Sequence, residues 1–563
     1  MLKIKQNLTL VFTALFVGFI VSFVAQIFAL TAKYLYFLTT KDKISTAFNV
    51  EIFGNELNLL TLISCLIASI FVCILIKLKK IERWHGPADT IYAAHQKAGS
   101  LDTKMGFYST LASFFSISGG ASVGMYGPLV HFGGTIGAYL RRRPFIPNIP
   151  HDIILGSGVA AAISAGFGSP IAGIIFAHEV VLRHFSMRAL AAISLASIIA
   201  SFSAKKINLV EPVLIFEEIP FDLLEAFPGL FIVGIFSSII ALCFMKSLLM
   251  MTKLSNNSNM KFFFKPLIPG IICGLVGLFF PEAIGLGSET IVNVITENNT
   301  LILLTILLFL KIFLTSLCIG FGLFGGILSP ALLVGACAGA IICGLPFISE
   351  QQNLNAVLAV SAMGAVVSSV IGGPITAIIL ILELTNSYHY AIASILPIAF
   401  SNLITYLFFG SSFFDHQLKL RNIPIDFGRQ YILLNQTKIK DYISKEYLTL
   451  NSADTTNSAL KKFKQNNTTE GYFVSKNKKL IGKLKLINIL DKKKLAINYV
   501  ENDPIIIKSD TSIAQTISTL EKFVGENIPI VNEDNVLLGV ISENDVLIAY
   551  SDITKSIKNI EKN

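Results

Sequence analysis

Gly166-Phe-Gly-Ser-Pro170-Ile-Ala-Gly-Ile-Ile-Phe-Ala-His-Glu179 returns later in the chain as Val370-Ile-Gly-Gly-Pro374-Ile-Thr-Ala-Ile-Ile-Leu-Ile-Leu-Glu383. Pro170 and Pro374 are 204 residues apart, and so are Glu179 and Glu383. A second pair, Gly124-x-x-Gly127-Pro128 and Gly326-x-x-Ser329-Pro330, recurs at an offset of 202. Two matches at nearly one spacing imply two related halves. The runs carrying them, about 105–117, 128–140, 153–166, 170–182, 331–346, 354–370 and 374–385, are short and glycine-broken. A membrane span needs ~20 apolar residues. Broken helices are tolerated at that depth only where their ends are buried in protein or line a wet cavity. The expected fold is an all-α membrane protein, an inverted-repeat bundle of broken helices with halves at about 58–204 and 263–410. Longer runs at about 8–38, 58–78, 187–204, 226–251, 263–281, 301–319 and 388–410 supply full spans.

Charge divides the chain. Of 563 residues, 53% are apolar and 14% charged, against about a quarter charged in soluble proteins. The last 143 residues hold 21 Lys and Arg and 17 Asp and Glu, leaving 24 and 19 for the first 420. The expected organisation is a membrane body over 1–420, a linker over 421–436 and a soluble tail over 437–563. This excludes a soluble enzyme, a disordered chain and a secreted disulfide scaffold. No nucleophile–base pair stands out, so no enzyme is expected. The net charge of +9 fits cytoplasm-facing loops and calls for no nucleic acid. The seven cysteines lie in apolar runs without C-x-x-C spacing, so no metal or redox pair is expected. Lys77, Lys79, Lys80, Arg83, Arg141, Arg142, Arg143, Arg183 and Arg188 follow apolar helices. The positive-inside rule places those loops and the N-terminus in the cytoplasm; the tail is expected there too, and the body in the cytoplasmic (inner) membrane. The run from Leu8 to about Leu38 is too long for a signal peptide and is read as a retained first span.

Three glycine-rich segments begin helices inside the body: Trp84-His-Gly-Pro87-Ala-Asp89, Gly124-Met-Tyr-Gly-Pro128 and Gly325-Gly-Ile-Leu-Ser-Pro330. Glycine permits the tight turn, and proline suits a first helical turn because its missing N–H is no loss there. The unpaired N–H groups and the helix dipole present partial positive charge. Converging ends of this kind hold an anion without a full cation, weakly enough to release it. Glycines also serve close helix packing, but three such motifs, two of them repeat-related, favour the anion site. Gly320-x-Gly322-x-x-Gly325 matches a dinucleotide fingerprint, yet it lies between membrane-length apolar runs and outside any strand–turn–helix unit.

With these motifs, residues 5–420 resemble the ClC family of chloride channels and proton/chloride exchangers. Gly119-Gly-Ala-Ser-Val-Gly-Met-Tyr-Gly-Pro128 is similar to its G-[KR]-E-G-P motif, Gly325-Gly-Ile-Leu-Ser-Pro330 to G-x-F-x-P, Trp84-His-Gly-Pro-Ala88 to G-S-G-I-P and Gly168-Ser-Pro-Ile-Ala-Gly173 to N-A-P-L-A-G. The resemblance implies a membrane-embedded homodimer with a separate pathway for small anions, chloride by default, in each subunit. It implies an anion pathway of His85, Gly86, Gly124, Met125, Tyr126, Gly127, Gly325, Gly326, Ile327, Leu328 and Phe414. The departures matter. The family's gating glutamate is Tyr126 here, and its inner proton glutamate is Val180. The central serine aligns with His85, the late tyrosine with Phe414 and the motif phenylalanine with Leu328. Coordination then rests more on the backbone N–H groups of Gly124–Gly127 and Gly325–Leu328. His85 either adds positive charge when protonated or stays neutral and satisfied by backbone. Tyrosine titrates near ~10 in water and valine not at all, so passive, proton-uncoupled flow is expected. Two alternatives stand: exchange through another group such as Glu179, and a non-conducting sensor occluded by Tyr126. Glu179 is otherwise a charge at a helix end, facing the cytoplasm or the subunit seam. Tyr126 donates a hydrogen bond to the anion, plugs the pathway as a moving gate, or packs at a helix start.

The tail resembles a pair of CBS motifs, about 437–495 and 496–551, a small α/β pair. Tyr472-Phe-Val-Ser, Leu480-Ile-Gly-Lys-Leu, Pro529-Ile-Val and Leu538-Gly-Val-Ile-Ser read as strands, and Ser458–Asn466 and Ser512–Phe523 as amphipathic helices. Gly539-Val-Ile-Ser-Glu-Asn-Asp545 follows G-x-x-[ST]-x-x-D, implying an adenine nucleotide with Ser542 at a phosphate and Asp545 at the ribose. Gly482-Lys-Leu-Lys485-Leu-Ile-Asn488 lacks the hydroxyl. The other reading is a dimerising platform without ligand. The Lys-rich stretch 476–494 reads as a solvated face near anionic lipid.

Overall fold

The computed structural model describes residues 2–40, 48–52, 55–96, 101–143, 149–206, 221–296, 299–345, 354–423, 428–490, 492, 494–521 and 523–562. Two compact units divide the chain, Met1–Ile423 and Pro424–Asn563. In the first, eight described helices are long and apolar enough to cross a membrane. This is an integral membrane protein.

After α1 (Leu2–Thr40) and a β1–β2 hairpin (Asn49–Ile52, Asn55–Asn58) come α2 (Leu59–Lys79), α3 (Pro87–His95), α4 (Thr103–Ser118) and α5 (Tyr126–Arg141). Then follow α6 (His151–Phe167), α7 (Pro170–Phe176) and α8 (Met187–Lys206). The long α9 (Leu223–Asn257) separates this half from the next. The second half runs α10 (Leu267–Phe279), α11 (Ser288–Thr296), α12 (Leu301–Gly320), α13 (Leu328–Cys343), α14 (Leu354–Ile371), α15 (Pro374–Thr385) and α16 (Tyr388–Phe409). The short α17 (Phe413–Lys419) closes the unit. Each helix from α2 to α8 has a counterpart about 200 residues on, the arrangement of an internally repeated transporter fold. The start of α3 is marked in sequence by Trp84-His-Gly-Pro87, whereas the nine-residue α11 escapes sequence reading because it carries no full apolar run.

Burial differs from helix to helix. The helices α5, α6, α13 and α14 form the interior, nearly every residue buried. Small residues permit this. Gly133 of α5 and Gly158 of α6 meet backbone to backbone, with no room for a Cβ on either. On α1, Phe12, Phe16, Phe19 and Phe23 stay exposed at helical spacing, the face that lipid covers in a membrane. The α7 helix widens into a π-turn over Ala177–Leu182, which ends at Arg183 in a left-handed conformation (φ 58°).

The second unit is built twice over. In each sheet a strand pairs in parallel with the next, which pairs antiparallel with the third: β3 (Leu448–Leu450), β4 (Glu470–Val474) and β5 (Leu480–Lys485), then β6 (Ile507–Lys508), β7 (Asn527–Val531) and β8 (Leu537–Ser542). Both antiparallel pairs shift register at equivalent places, Phe473/Val474 and Ile530/Val531. Helices over Thr456–Asn466 and Ile513–Leu520 fall where amphipathic text predicts them. The expected linker 421–436 is not uniform: residues 424–427 lie outside the described residues, and Gly428–Gln436 is helical.

Candidate functional site

The two repeat-related loops meet as backbone. Gly124 N–H donates to Gly326 C=O at 2.7 Å, and Gly326 N–H donates to Gly124 C=O at 2.6 Å. Only glycine allows this approach: a Cβ on Gly326 would lie 2.7 Å from Gly127 N, and one on Gly124 would lie 2.9 Å from Ser329 Oγ. The two amides predicted as anion donors at Gly124 and Gly326 are therefore spent on each other. Helix hydrogen bonding starts later, with Leu129 N–H to Met125 C=O and Ala331 N–H to Ile327 C=O. The first-turn amides of Tyr126, Gly127, Leu328 and Ser329 have no backbone partner among the described residues, so two helix starts face one place with unspent donors. Ser329 Oγ, buried there, also has no partner.

Beside this bridge lies a cavity of about 700 Å³, a volume that includes its open mouth. Gly86, Tyr126, Gly127, Gly325, Gly326, Ile327, Leu328 and Phe414 line it. The three glycine-rich segments thus converge, and α17 contributes Phe413 and Phe414. Tyr126 lies flat on Phe167, the last residue of α6, with ring centroids 3.2 Å apart and planes 13° from parallel. It is 5% exposed. Trp84 Nε1 donates to Gly322 C=O at 2.8 Å, tying the first glycine segment to the approach of the third.

Not every predicted residue reaches the cavity. Met125 is buried beside it, outside the lining. His85 also stands outside: its backbone N–H donates to Ser109 Oγ at 2.9 Å, its ring faces His131 edge-on at 6.2 Å, and its buried Nδ1 lacks a partner. Alignment by sequence order cannot tell which way a side chain leaves a turn.

Val180 is buried, within the π-turn and against Gly373. Glu179 accepts from Ile375 N–H at 3.0 Å, Thr376 N–H at 2.7 Å and Thr376 Oγ1 at 2.6 Å. Glu383 does the same in the other half, accepting from Ile171 N–H at 2.9 Å and Ala172 N–H at 2.8 Å. Each repeated glutamate caps the first turn of the other half's helix, a favourable seat for a carboxylate at a helix N-terminus. Their shared 204-residue offset was the available signal, though it did not reveal the reciprocity.

Among the described residues, the single carboxylate in the lining is Asp89, and the single basic side chain is Arg421. Asp89 accepts from Arg83 Nη2 at 2.8 Å, Arg421 Nη1 at 2.8 Å and Gly86 N–H at 3.0 Å. Sequence reading passed over Arg421 because it sits where charge density rises into the tail. The compact unit extends past it, to Ile423.

In the second unit, Ser542 N–H and Oγ donate to Asp545 Oδ2 at 2.9 and 2.8 Å. The two residues expected to hold a nucleotide are bonded to one another. Lys483, 2% exposed, donates to Glu470 Oε1 and to Asn527 C=O, both at 2.7 Å, pinning β5 to β7. Burial lowers its amine below the ordinary lysine value, although Glu470 opposes the shift.

A family model described as voltage gated chloride channel matches residues 65–406, and one for the CBS domain matches 497–552. The chain is 26% identical over 328 residues to an H(+)/Cl(-) exchange transporter ClcA of Vibrio parahaemolyticus, covering 56% of this chain and 69% of that one. The fold is similar to a slow cyanobacterial Cl-/H+ antiporter at TM-score 0.65 and 18% identity, covering 73% of this chain and 98% of that one. It is also similar to a eukaryotic CLC transporter at TM-score 0.62 and 15% identity, covering 96% and 98%.

Proposed function

Because this chain belongs to the voltage-gated chloride channel family and carries a C-terminal CBS domain, we propose that its body is a passive, proton-uncoupled pathway for small anions, with chloride as the default ion. One observation carries the reading. Among the described residues the only carboxylate lining the cavity, Asp89, is held by two guanidinium groups and an amide, and no other carboxylate joins the lining. Coupled exchange needs a group that alternates between charged and neutral within the pathway. Tyr126 occupies the gate position, Val180 the inner relay position, and Glu179 is committed to three donors.

In this account the anion rests against the first-turn amides of α5 and α13, and the Tyr126 ring gates by leaving its stack on Phe167. The chain works as a homodimer in the cytoplasmic membrane, with the tail from residue 424 onward in the cytoplasm. The tail acts as a dimerising platform, since Ser542 and Asp545 satisfy each other. The similarity to an H(+)/Cl(-) exchange transporter and a Cl-/H+ antiporter favours a second reading, proton-coupled exchange.

Proteoliposomes loaded with chloride and given a potassium ionophore test the proposal. Chloride should leave while the pH of a weakly buffered medium stays constant. Proton uptake in fixed ratio to chloride efflux would reject uncoupled flow.

A further inference from the structure

Phe413, Phe414, Gln417 and Arg421 form one cavity-lining face of α17 and the turn after it, apolar at the start and charged at the end. Arg421 gives Nη1 to Asp89 Oδ1, and no other guanidinium N–H of Arg421 has a partner among the described residues. The Gln417 amide, one helical turn away, likewise has none. Arg83 holds Asp89 from the far side with both terminal nitrogens, at 3.2 and 2.8 Å. Two guanidiniums sharing one carboxylate leave one net positive charge. Asp89 is only 8% exposed in its side chain, while Arg83 and Arg421 are 46% and 28% exposed. The surplus charge is thus offered outward.

We propose that Arg421, oriented by Asp89 and assisted by Gln417, forms a small-anion subsite at the charged mouth of the cavity, where an ion waits before reaching the uncharged helix starts. The inference rests on the anion-pathway reading. Asp89 has a definite part in it. A bare pair of guanidiniums would hold a halide too long for rapid passage, whereas one net charge raises the local anion concentration and still releases the ion. A guanidinium held on one edge by a carboxylate keeps its planar fork aimed, which a flexible lysine would not do.

The test is halide binding to the detergent-purified full chain by calorimetry, with bromide as the probe at constant ionic strength. Binding reads the same whether flow is coupled to protons or not. Arg421→Gln should weaken binding several-fold, and the deficit should shrink as ionic strength rises through the range where screening acts. Asp89→Asn paired with Arg421→Gln restores one net charge at Arg83 without the oriented fork, and should remain weak. Wild-type strength in the folded Arg421→Gln protein, or a deficit indifferent to ionic strength, would overturn the subsite. Should Arg421→Gln fail to fold, Gln417→Leu decides: weaker binding supports the subsite and unchanged binding overturns it. Absence of halide binding in the wild-type protein would reject the anion-pathway reading itself.

Discussion

Gly124 and Gly326, 202 residues apart in sequence, exchange both backbone hydrogen bonds and so fix the separation of the two helix starts that face the cavity. The first-turn amides of Tyr126, Gly127, Leu328 and Ser329, proposed to hold the anion, lie within one turn of this bridge.

Gly326→Ala should therefore cripple transport without removing any ligand. The added methyl would press on Gly127 N and Gly124 C=O, at 2.7 and 3.0 Å. Overpacking of this kind costs about 1–3 kcal/mol, enough to lower flux by about fivefold to a hundredfold at 1.4 kcal/mol per decade. Flux through reconstituted protein of normal size-exclusion profile is the measurement. Wild-type flux would mean that the bridge does not set the pathway.

Glu179 and Glu383 should behave as structural caps. Glu179→Ala and Glu383→Ala should each lower the unfolding temperature, with a loss of about 1–2 kcal/mol as for other helix caps. Glu179→Gln keeps the shape, so flux and its insensitivity to a proton gradient should persist. A Glu179→Gln protein that is equally stable but newly changed in its response to pH would assign Glu179 to proton transfer.

Tyr126 and Phe167 form the proposed gate. Tyr126→Phe keeps the stacked ring and should leave flux within about twofold, because aromatic stacking, worth roughly 1 kcal/mol, survives the change. Tyr126→Ala removes the ring from the lining and should raise flux several-fold. A Tyr126→Phe protein that loses halide affinity would make the hydroxyl a ligand instead.

Much of this arrangement is legible in the sequence. The repeat, the broken helices and the meeting of three glycine segments follow from Pro170, Pro374, Gly124 and Gly326, because short helices can exist in a bilayer only with buried or wetted ends. What sequence could not show was direction. His85 aligns with a pathway serine yet turns its ring toward His131, and Gly124 and Gly326 spend their amides on each other. Ser329 and Arg421 carry no periodic signal. Their relevance comes from neighbours hundreds of residues away: Gly124 for Ser329, and Asp89 for Arg421.

In the tail, Asp454 anchors the helix over Thr456–Asn466. Its burial opposes ionisation, but donors on Lys462, Asn451 and Ser458 outweigh that and hold its carboxyl below the ordinary 3.8. A carboxylate depressed in the folded state stabilises at pH above its unfolded value and loses that contribution as pH falls through the folded one. Asp454→Asn should lower the tail's unfolding temperature in the full chain at pH 7. The gap to wild type should narrow as the pH falls below about 4. A gap constant between pH 7 and pH 3 would remove Asp454 from this role.

Uncoupled permeation is the central claim, and the reversal potential of reconstituted protein under a pH gradient tests it most directly. With a tenfold chloride gradient and equal pH, a chloride-selective pathway reverses near the single-ion value of about 59 mV. Imposing a pH difference across the bilayer should leave that potential where it was. A reversal potential that moves with the proton gradient would contradict the account and make the protein an exchanger.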